Sequence, residues 1–193
     1  MPHHADVPGR GAGAAALPQP DGPRGRDLDA GWLTPAYVAL GSNLDDPRAQ
    51  VERALDELAG VRNSRLVLRS SLYRSRPFGP VEQPDFVNAT AGLLTALSPA
   101  ELLAELQSLE TRLGRERPAV RWGPRRIDLD LLVQGTDRSD EPGLTLPHPG
   151  IAHRAFVLVP LAEIAPELMV PALGPVRVLL ARVDSSGVER IAP

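Results

Sequence analysis

The chain has no lysine and no cysteine, and all 21 of its basic residues are arginine. A Walker A loop must place a lysine on the nucleotide phosphates, so a P-loop enzyme is excluded, and Schiff-base chemistry goes with it. Any phosphate held here is gripped by arginine, histidine, backbone N–H groups or a metal. Without cysteine there is no disulfide framework, thiolate zinc site or thiol nucleophile. Aromatic residues are only 4% of the chain, poor material for an RNA-binding sheet that stacks bases on exposed rings. The net charge of -3 argues against a general polyanion binder, so nucleic acid is not an expected partner. No run approaches about 18 consecutive apolar residues, so no membrane span is expected. The N-terminus lacks the charged-then-apolar order of a signal peptide, and the cytoplasm is the expected location.

What is present suits one globular domain: 193 residues, 42% of them apolar. Residues 1–34, rich in Gly, Ala, Pro and Arg, read as a disordered tail, and residues 35–193 as the domain. Ala36 to Leu40 forms a short apolar strand. Gly41-Ser42-Asn43 turns the chain, with Ser42 or Asn43 available to cap a helix whose apolar stripe is Val51, Ala54, Leu55 and Leu58; Gly60 ends it. Leu66 to Tyr73 alternates like a strand, Arg74 to Pro84 is a loop with three prolines, and Phe86 to Leu94 is a second long strand. Ser98-Pro99-Ala100-Glu101 matches a capping box that opens a helix running to about Leu113. A Gly/Arg/Pro loop spans Gly114 to Pro124, and Ile127 to Val133 is a strand. Thr145 to Pro149 reads as a turn or short helix; Phe156 to Ile164 and Val176 to Arg182 read as helices. The order β-α-β-β-α-β with a helical end favours an α+β, ferredoxin-like sandwich built on an antiparallel sheet.

The stretch from Arg121 to Asp130, R-W-G-P-R-R-I-D-L-D, concentrates the chemistry. In a strand, side chains alternate, so Asp128 and Asp130 share one face, about 7 Å apart, while Ile127, Leu129, Leu131 and Val133 face the core. Two carboxylates so spaced can hold magnesium, which takes one or two carboxylates plus phosphate oxygens and water. Taken alone the pair favours a solvated strand face matched by arginine. Six arginines between Arg112 and Arg126 tilt the balance toward polyphosphate, which orders such a loop through charge-assisted contacts. Trp122 either stacks on a heterocycle or plugs the sheet. His148, with Arg154 six residues on, is either a second cationic arm or a hydrogen-bonded surface histidine. Phe78 and Phe86 could sandwich a flat ring whose edge meets Asn88, or belong to the core.

These residues together resemble the 6-hydroxymethyl-7,8-dihydropterin pyrophosphokinase family, whose R-W-G-P-R-x-x-D-L-D pattern stands unbroken here. The resemblance runs from about Ala36 to Leu173 and includes A-L-G-S-N-L at Ala39–Leu44, Q-P-D-F-V-N-A at Gln83–Ala89, L-T-L-P-H at Leu144–His148 and P-L-A-E-I-A-P-E-L at Pro160–Leu168. It implies a monomeric ferredoxin-like enzyme of folate biosynthesis that transfers pyrophosphate from ATP to the pterin hydroxymethyl group, leaving AMP. By motif, Asp128 and Asp130 would hold two magnesium ions, and Arg115 and Arg125 would stabilise the transferring group. Gln107, Glu110, Arg117, Arg121, Trp122, His148 and Arg154 would serve ATP or its closing loop. Ser75, Phe78, Phe86, Asn88 and Phe156 would serve the pterin. The chain departs from the family pattern at Pro118, where a lysine is frequent, at Phe86, where a tyrosine is common, at Arg76 and at Pro149. A metal-dependent phosphohydrolase on the same aspartates and an RNA-binding ferredoxin-like module are the competing readings.

Overall fold

The computed structural model describes residues 33–115 and 123–192. The expected tail therefore lies outside the described residues, apart from its last two positions. Strand β1 (Thr34–Ser42) starts two residues before the expected strand and extends two beyond it. It leads into helix α1 (Pro47–Leu58), which buries Val51, Ala54, Leu55 and Leu58 as their spacing requires. The cap is neither Ser42 nor Asn43: the Asp46 carboxylate accepts the Ala49 N–H, with Pro47 in the first turn. Gly60 lies past the helix end, which closes on Ala59 in right-handed geometry.

The expected strand Leu66–Tyr73 is two strands, β2 (Ser64–Arg69) and β3 (Tyr73–Ser75). The break falls at Ser70, whose hydroxyl accepts the Thr90 N–H and donates to the Ser71 carbonyl. A short side chain that competes for backbone groups interrupts a ladder this way. Strand β4 (Phe86–Thr95) pairs with both. Helix α2 (Pro99–Arg112) opens on the full Ser98–Glu101 capping box. Strand β5 (Asp128–Gln134) follows, then a hairpin of β6 (Ser139–Glu141) and β7 (Leu144–Leu146). Thr145 is thus in a strand, not a helix, because Gly143 at φ 88° supplies the left-handed turn that folds β7 back. Helix α3 (Ala155–Ile164), the small ladder β8 (Met169–Val170) with β9 (Gly174–Pro175), helix α4 (Val176–Leu180) and strand β10 (Val188–Arg190) complete the chain.

The main sheet runs β10-β3-β4-β1-β5, with β2 also on β4, all antiparallel. The order β2-β4-β1-β5 gives the expected ferredoxin-like α+β arrangement. Strand β10 gives no sequence signal and adds to the edge by pairing with β3. Both faces of the sheet are covered. Val38, Leu40, Ala91, Leu93, Leu129 and Leu131 pack with α1 and α2, while Leu132, Val133, Val157, Leu158, Leu161 and Leu179 form a second core with α3 and α4. Val133 was expected on the side of Leu131. A bulge opposite Tyr37/Val38 inserts Leu132 and turns Val133 to the other face.

Leu106 is fully buried on α2, and Leu106→Ala is expected to cost about 2–5 kcal/mol. Urea unfolding measures this; a loss under about 1 kcal/mol would show that α2 does not close this core.

Candidate active site

Residues opposite one another in an antiparallel sheet point the same way. Asn88 on β4 lies opposite Gly41 on β1, and Gly41 lies opposite Asp128 on β5. One row across the sheet therefore carries an amide and a carboxylate on one face, with a glycine between them. A Cβ at Gly41 would stand 3.3 Å from Asn88 Oδ1, so the close approach of the amide to β1 requires glycine there. The next position along this face adds Asp130, opposite Ala39. The face is the one that α3 covers, and where α3 begins the cover is incomplete. A cleft of about 660 Å³ opens there, lined by Gly41, Ser75, Phe78, Phe86, Asn88, Arg125, Asp128, Asp130, Arg154 and Phe156 among others.

Every residue assigned to the pterin side by resemblance thus lines one cleft with both aspartates. Within it, Asn88 Nδ2 donates to Ser75 Oγ at 2.9 Å, both residues being buried. That bond leaves the Asn88 carbonyl oxygen as an acceptor beside Gly41. Phe78, 54% exposed, pairs with Phe156 at 6.5 Å between ring centres and an angle of 54°. Phe156 is thus a tilted ring partner of Phe78, and Phe86 lines the same cleft. The Arg154 guanidinium lies about 6 Å from both rings, within cation–π range.

The acidic end is a chain of alternating charges. Arg115 pairs with Asp128 at 2.8 Å and with Glu110, and Arg125 pairs with the other oxygen of Asp128. Glu110, only 4% exposed, also accepts the Leu129 N–H of edge strand β5. Burial pushes its carboxyl up to about 7, against the pull of that N–H and of Arg115. Burial, and then the charge of Asp128, likewise raises Asp130 to about 6. Burial, and then Arg154, lower His148 to about 4, so of its two readings the cationic arm does not hold for the protein alone, where the ring is neutral. His148 Nδ1 accepts the Gly150 N–H, which puts the ring proton on Nε2, 3.9 Å from Asp130.

The arginines do not all converge. Arg126 pairs with the exposed Asp45, and Arg112 donates to Ser108. Gln107 is exposed on α2 and, like Glu110, does not line the cleft. Arg117, Arg121, Trp122 and Pro118 lie outside the described residues. Sequence reasoning missed Asn43, 2% exposed, and Gln83, whose side chains hydrogen-bond to each other beside the cleft. The motif A-L-G-S-N-L held the first of them but gave no sign of its partners.

A family model described as 7,8-dihydro-6-hydroxymethylpterin-pyrophosphokinase (HPPK) matches residues 37–166. The chain is 48% identical over 155 residues to the 2-amino-4-hydroxy-6-hydroxymethyldihydropteridine pyrophosphokinase of Pseudomonas aeruginosa, covering 80% of this chain and 95% of that one. To the enzyme of the same name from Methylorubrum extorquens it is 47% identical over 160 residues, covering 82% and 99%. A crystal structure of Plasmodium falciparum HPPK-DHPS with pteroate superposes with a TM-score of 0.64 at 14% identity, over 83% of this chain and 47% of that longer one. It shares the fold, and this chain spans about half its length.

Folded Glu110 keeps its proton to about pH 7, whereas the unfolded chain releases it near 4.5. The native state binds more protons across that window, so this group's contribution to stability falls as pH rises from about 4.5 to 7. Glu110→Gln keeps an oxygen for the Leu129 N–H and removes the titration. Its unfolding free energy should gain on wild type as pH rises through the window; a constant difference would contradict the burial effect.

Proposed function

Because this chain belongs to the 7,8-dihydro-6-hydroxymethylpterin-pyrophosphokinase family, we propose that its cleft takes the pterin at the aromatic end and the ATP triphosphate at the acidic end. The enzyme transfers the pyrophosphoryl group of ATP to the hydroxymethyl group of hydroxymethyldihydropterin, giving AMP, in folate biosynthesis. The observation that carries the site assignment is the row Asn88–Gly41–Asp128, which aims a heterocycle-recognising amide and a metal-type carboxylate into one cleft.

Asn88 Oδ1 accepts from the heterocycle edge, its orientation fixed by Ser75. Phe78, Phe86 and Phe156 cover the ring faces, and Phe78 moves to admit the ligand because it is the exposed member. Arg115 and Arg125, today on Asp128, have the forked geometry that binds phosphoryl oxygens and offsets their charge in the transition state. Arg154, between the aromatic pair and Asp130, adds a cation where the two substrates meet. Gln107, Glu110, Arg117, Arg121, Trp122 and His148 serve the ATP side. Glu110 does so indirectly, by holding Arg115, and neutral His148 offers its Nε2 proton as a donor.

The donor set fits magnesium. Asp128 and Asp130 are hard oxygen ligands that share a strand face, and Asp130 is raised by burial and then by the charge of Asp128, both of which a bound cation would offset. Among the described residues no group of three or more acidic or histidine side chains could hold a metal, as expected for an ion that draws its other ligands from phosphate and water. Asp128 and Asp130 would hold the two magnesium ions, which would supply neutralisation of the triphosphate charge during transfer. Phosphoryl chemistry then asks of the protein positioning and exclusion of water, not a covalent nucleophile. The expectation of a monomeric, cytoplasmic enzyme without a nucleic-acid partner is part of this proposal; the net charge of -3 supports its last element.

Incubation with ATP, magnesium and hydroxymethyldihydropterin should give AMP only when the pterin is present; ADP or phosphate released without pterin would overturn the assignment. Asp128→Ala and Asp130→Ala should abolish turnover with the fold intact by circular dichroism, and near wild-type activity would remove them from the metal site. Arg125→Ala should slow single-turnover transfer by about 10²–10³-fold while pterin affinity changes little. Apparent magnesium affinity should rise as pH increases through about 6, where Asp130 gives up its proton. Calorimetry should detect proton release on binding below that pH and little above it; a pH-independent affinity would contradict this role.

A further inference from the structure

Asn43 follows β1 directly and is 2% exposed, yet it neither lines the cleft nor caps α1. Its hydrogen bonds run to two separate loops. On one side its side-chain Nδ2 donates to Gln83 Oε1 at 2.9 Å and to the Pro84 carbonyl at 3.1 Å. On the other its Oδ1 accepts the Arg125 N–H at 2.8 Å, and its own backbone N–H donates to the Arg125 carbonyl at 3.1 Å. The Arg125 N–H can only donate and the Pro84 carbonyl can only accept, so the amide has one possible orientation. That orientation in turn requires Gln83 to present its oxygen.

Both loops carry cleft residues. Gln83 lines the cleft, and three residues on, Phe86 begins β4 at the aromatic end. Arg125 lines it at the acidic end and reaches Asp128. With Gly41 already opposite Asp128, the paired backbone and side-chain bonds of Asn43 to Arg125 prolong the β1–β5 ladder past its last rung. Arg125 is thereby indexed to β1, and the Gln83–Pro84 loop is indexed to the same atom group.

We propose that Asn43 is a positioning residue that sets the distance between the pterin end of the cleft and the Arg125 guanidinium, so that the two substrates meet in register. The inference rests on the function assigned above. Aspartate cannot replace it, because a carboxylate would keep the acceptor for the Arg125 N–H and lose both donors to the Gln83–Pro84 loop. Alanine would lose both sides and leave the part-buried Arg125 N–H without this acceptor. Misplacement of a reacting group by about 1 Å is enough to cost on the order of 10²-fold in rate.

The test compares wild type, Asn43→Ala, Asn43→Asp, Gln83→Ala and the double variant Asn43→Ala/Gln83→Ala in the pterin-dependent AMP assay. Thermal melts and active-site titration correct for the folded fraction. Asn43→Ala is expected to lose about 10²-fold in kcat with the KM for ATP within about two-fold, a split that general loss of structure does not produce. Asn43→Asp should keep most of kcat and raise the KM for the pterin about ten-fold, the order of cost expected when both hydrogen bonds to the Gln83–Pro84 loop are lost. In the double-mutant cycle the effects of Asn43→Ala and Gln83→Ala on pterin KM should be non-additive. Should Asn43→Ala fail to fold, Asn43→Asp and Gln83→Ala carry the test alone through their shared pterin KM defect. The inference is overturned if the corrected kcat and both KM values of the folded Asn43 variants match wild type, or if the cycle is additive. A wild-type protein without pterin-dependent AMP formation would instead overturn the assigned function, so the two failures are distinct.

Discussion

Two carboxylates on one strand face, two residues apart and only partly shielded from water, repel each other, and the charged groups around them are arranged about that repulsion. Asp128 is bound by Arg115 and Arg125, one guanidinium to each oxygen. Arg115 is itself held from behind by buried Glu110, which also seals an outward N–H of β5. Burial, and then the charge of Asp128, hold the Asp130 carboxyl up to about 6 against the pull of Arg154, Arg115 and Arg125. The neighbouring His148 stays uncharged because Arg154 and burial both oppose its protonation. In the protein alone the arginines balance the charge of Asp128. The same arginines are the groups best shaped to take phosphate.

The sheet converts that local electrostatics into a site for two substrates. Because cross-strand neighbours share a face, pairing β1 with both β4 and β5 puts Asn88 and Asp128 on either side of Gly41 without help from any loop. Helices on both faces make the sheet rigid. The cleft exists where α3 begins, since Arg154, Phe156 and Val157 border it while Leu158 and Leu161 are already core. Asn43 then fastens the segments before β4 and before β5 to the end of β1. Rigid strands supply the direction of each functional group, and loops supply cover.

Much of this was legible in the residues. The spacing of Val51, Ala54, Leu55 and Leu58 and the Ser98–Glu101 box produce the two helices they signal, because both patterns act within one or two turns. Alternation along β5 puts Asp128 and Asp130 together for the same local reason. It failed beyond Leu131, since a bulge is a property of two strands and has no signature in one. Strand β10 was invisible because three residues carry too little pattern, and its stability comes from β3. The two readings of His148 stayed open in the residues because burial is set by packing that the residue name does not record.

The sequence by itself determined the reaction class. Lysine is absent, arginines are dense before D-L-D, and the order of motifs from Gly41 to Leu168 is carried in residue types that chemistry demands whatever the fold. Only the tertiary structure decided which of those residues meet. Phe78 takes Phe156 as its partner, Arg115 leans on Glu110, Arg126 turns away to Asp45, and Asn43 bridges loops 40 and 82 residues distant in sequence. Local patterns fix how a side chain points relative to its own backbone. Which distant side chain stands opposite depends on strand register and helix packing, and these form only when the whole core closes.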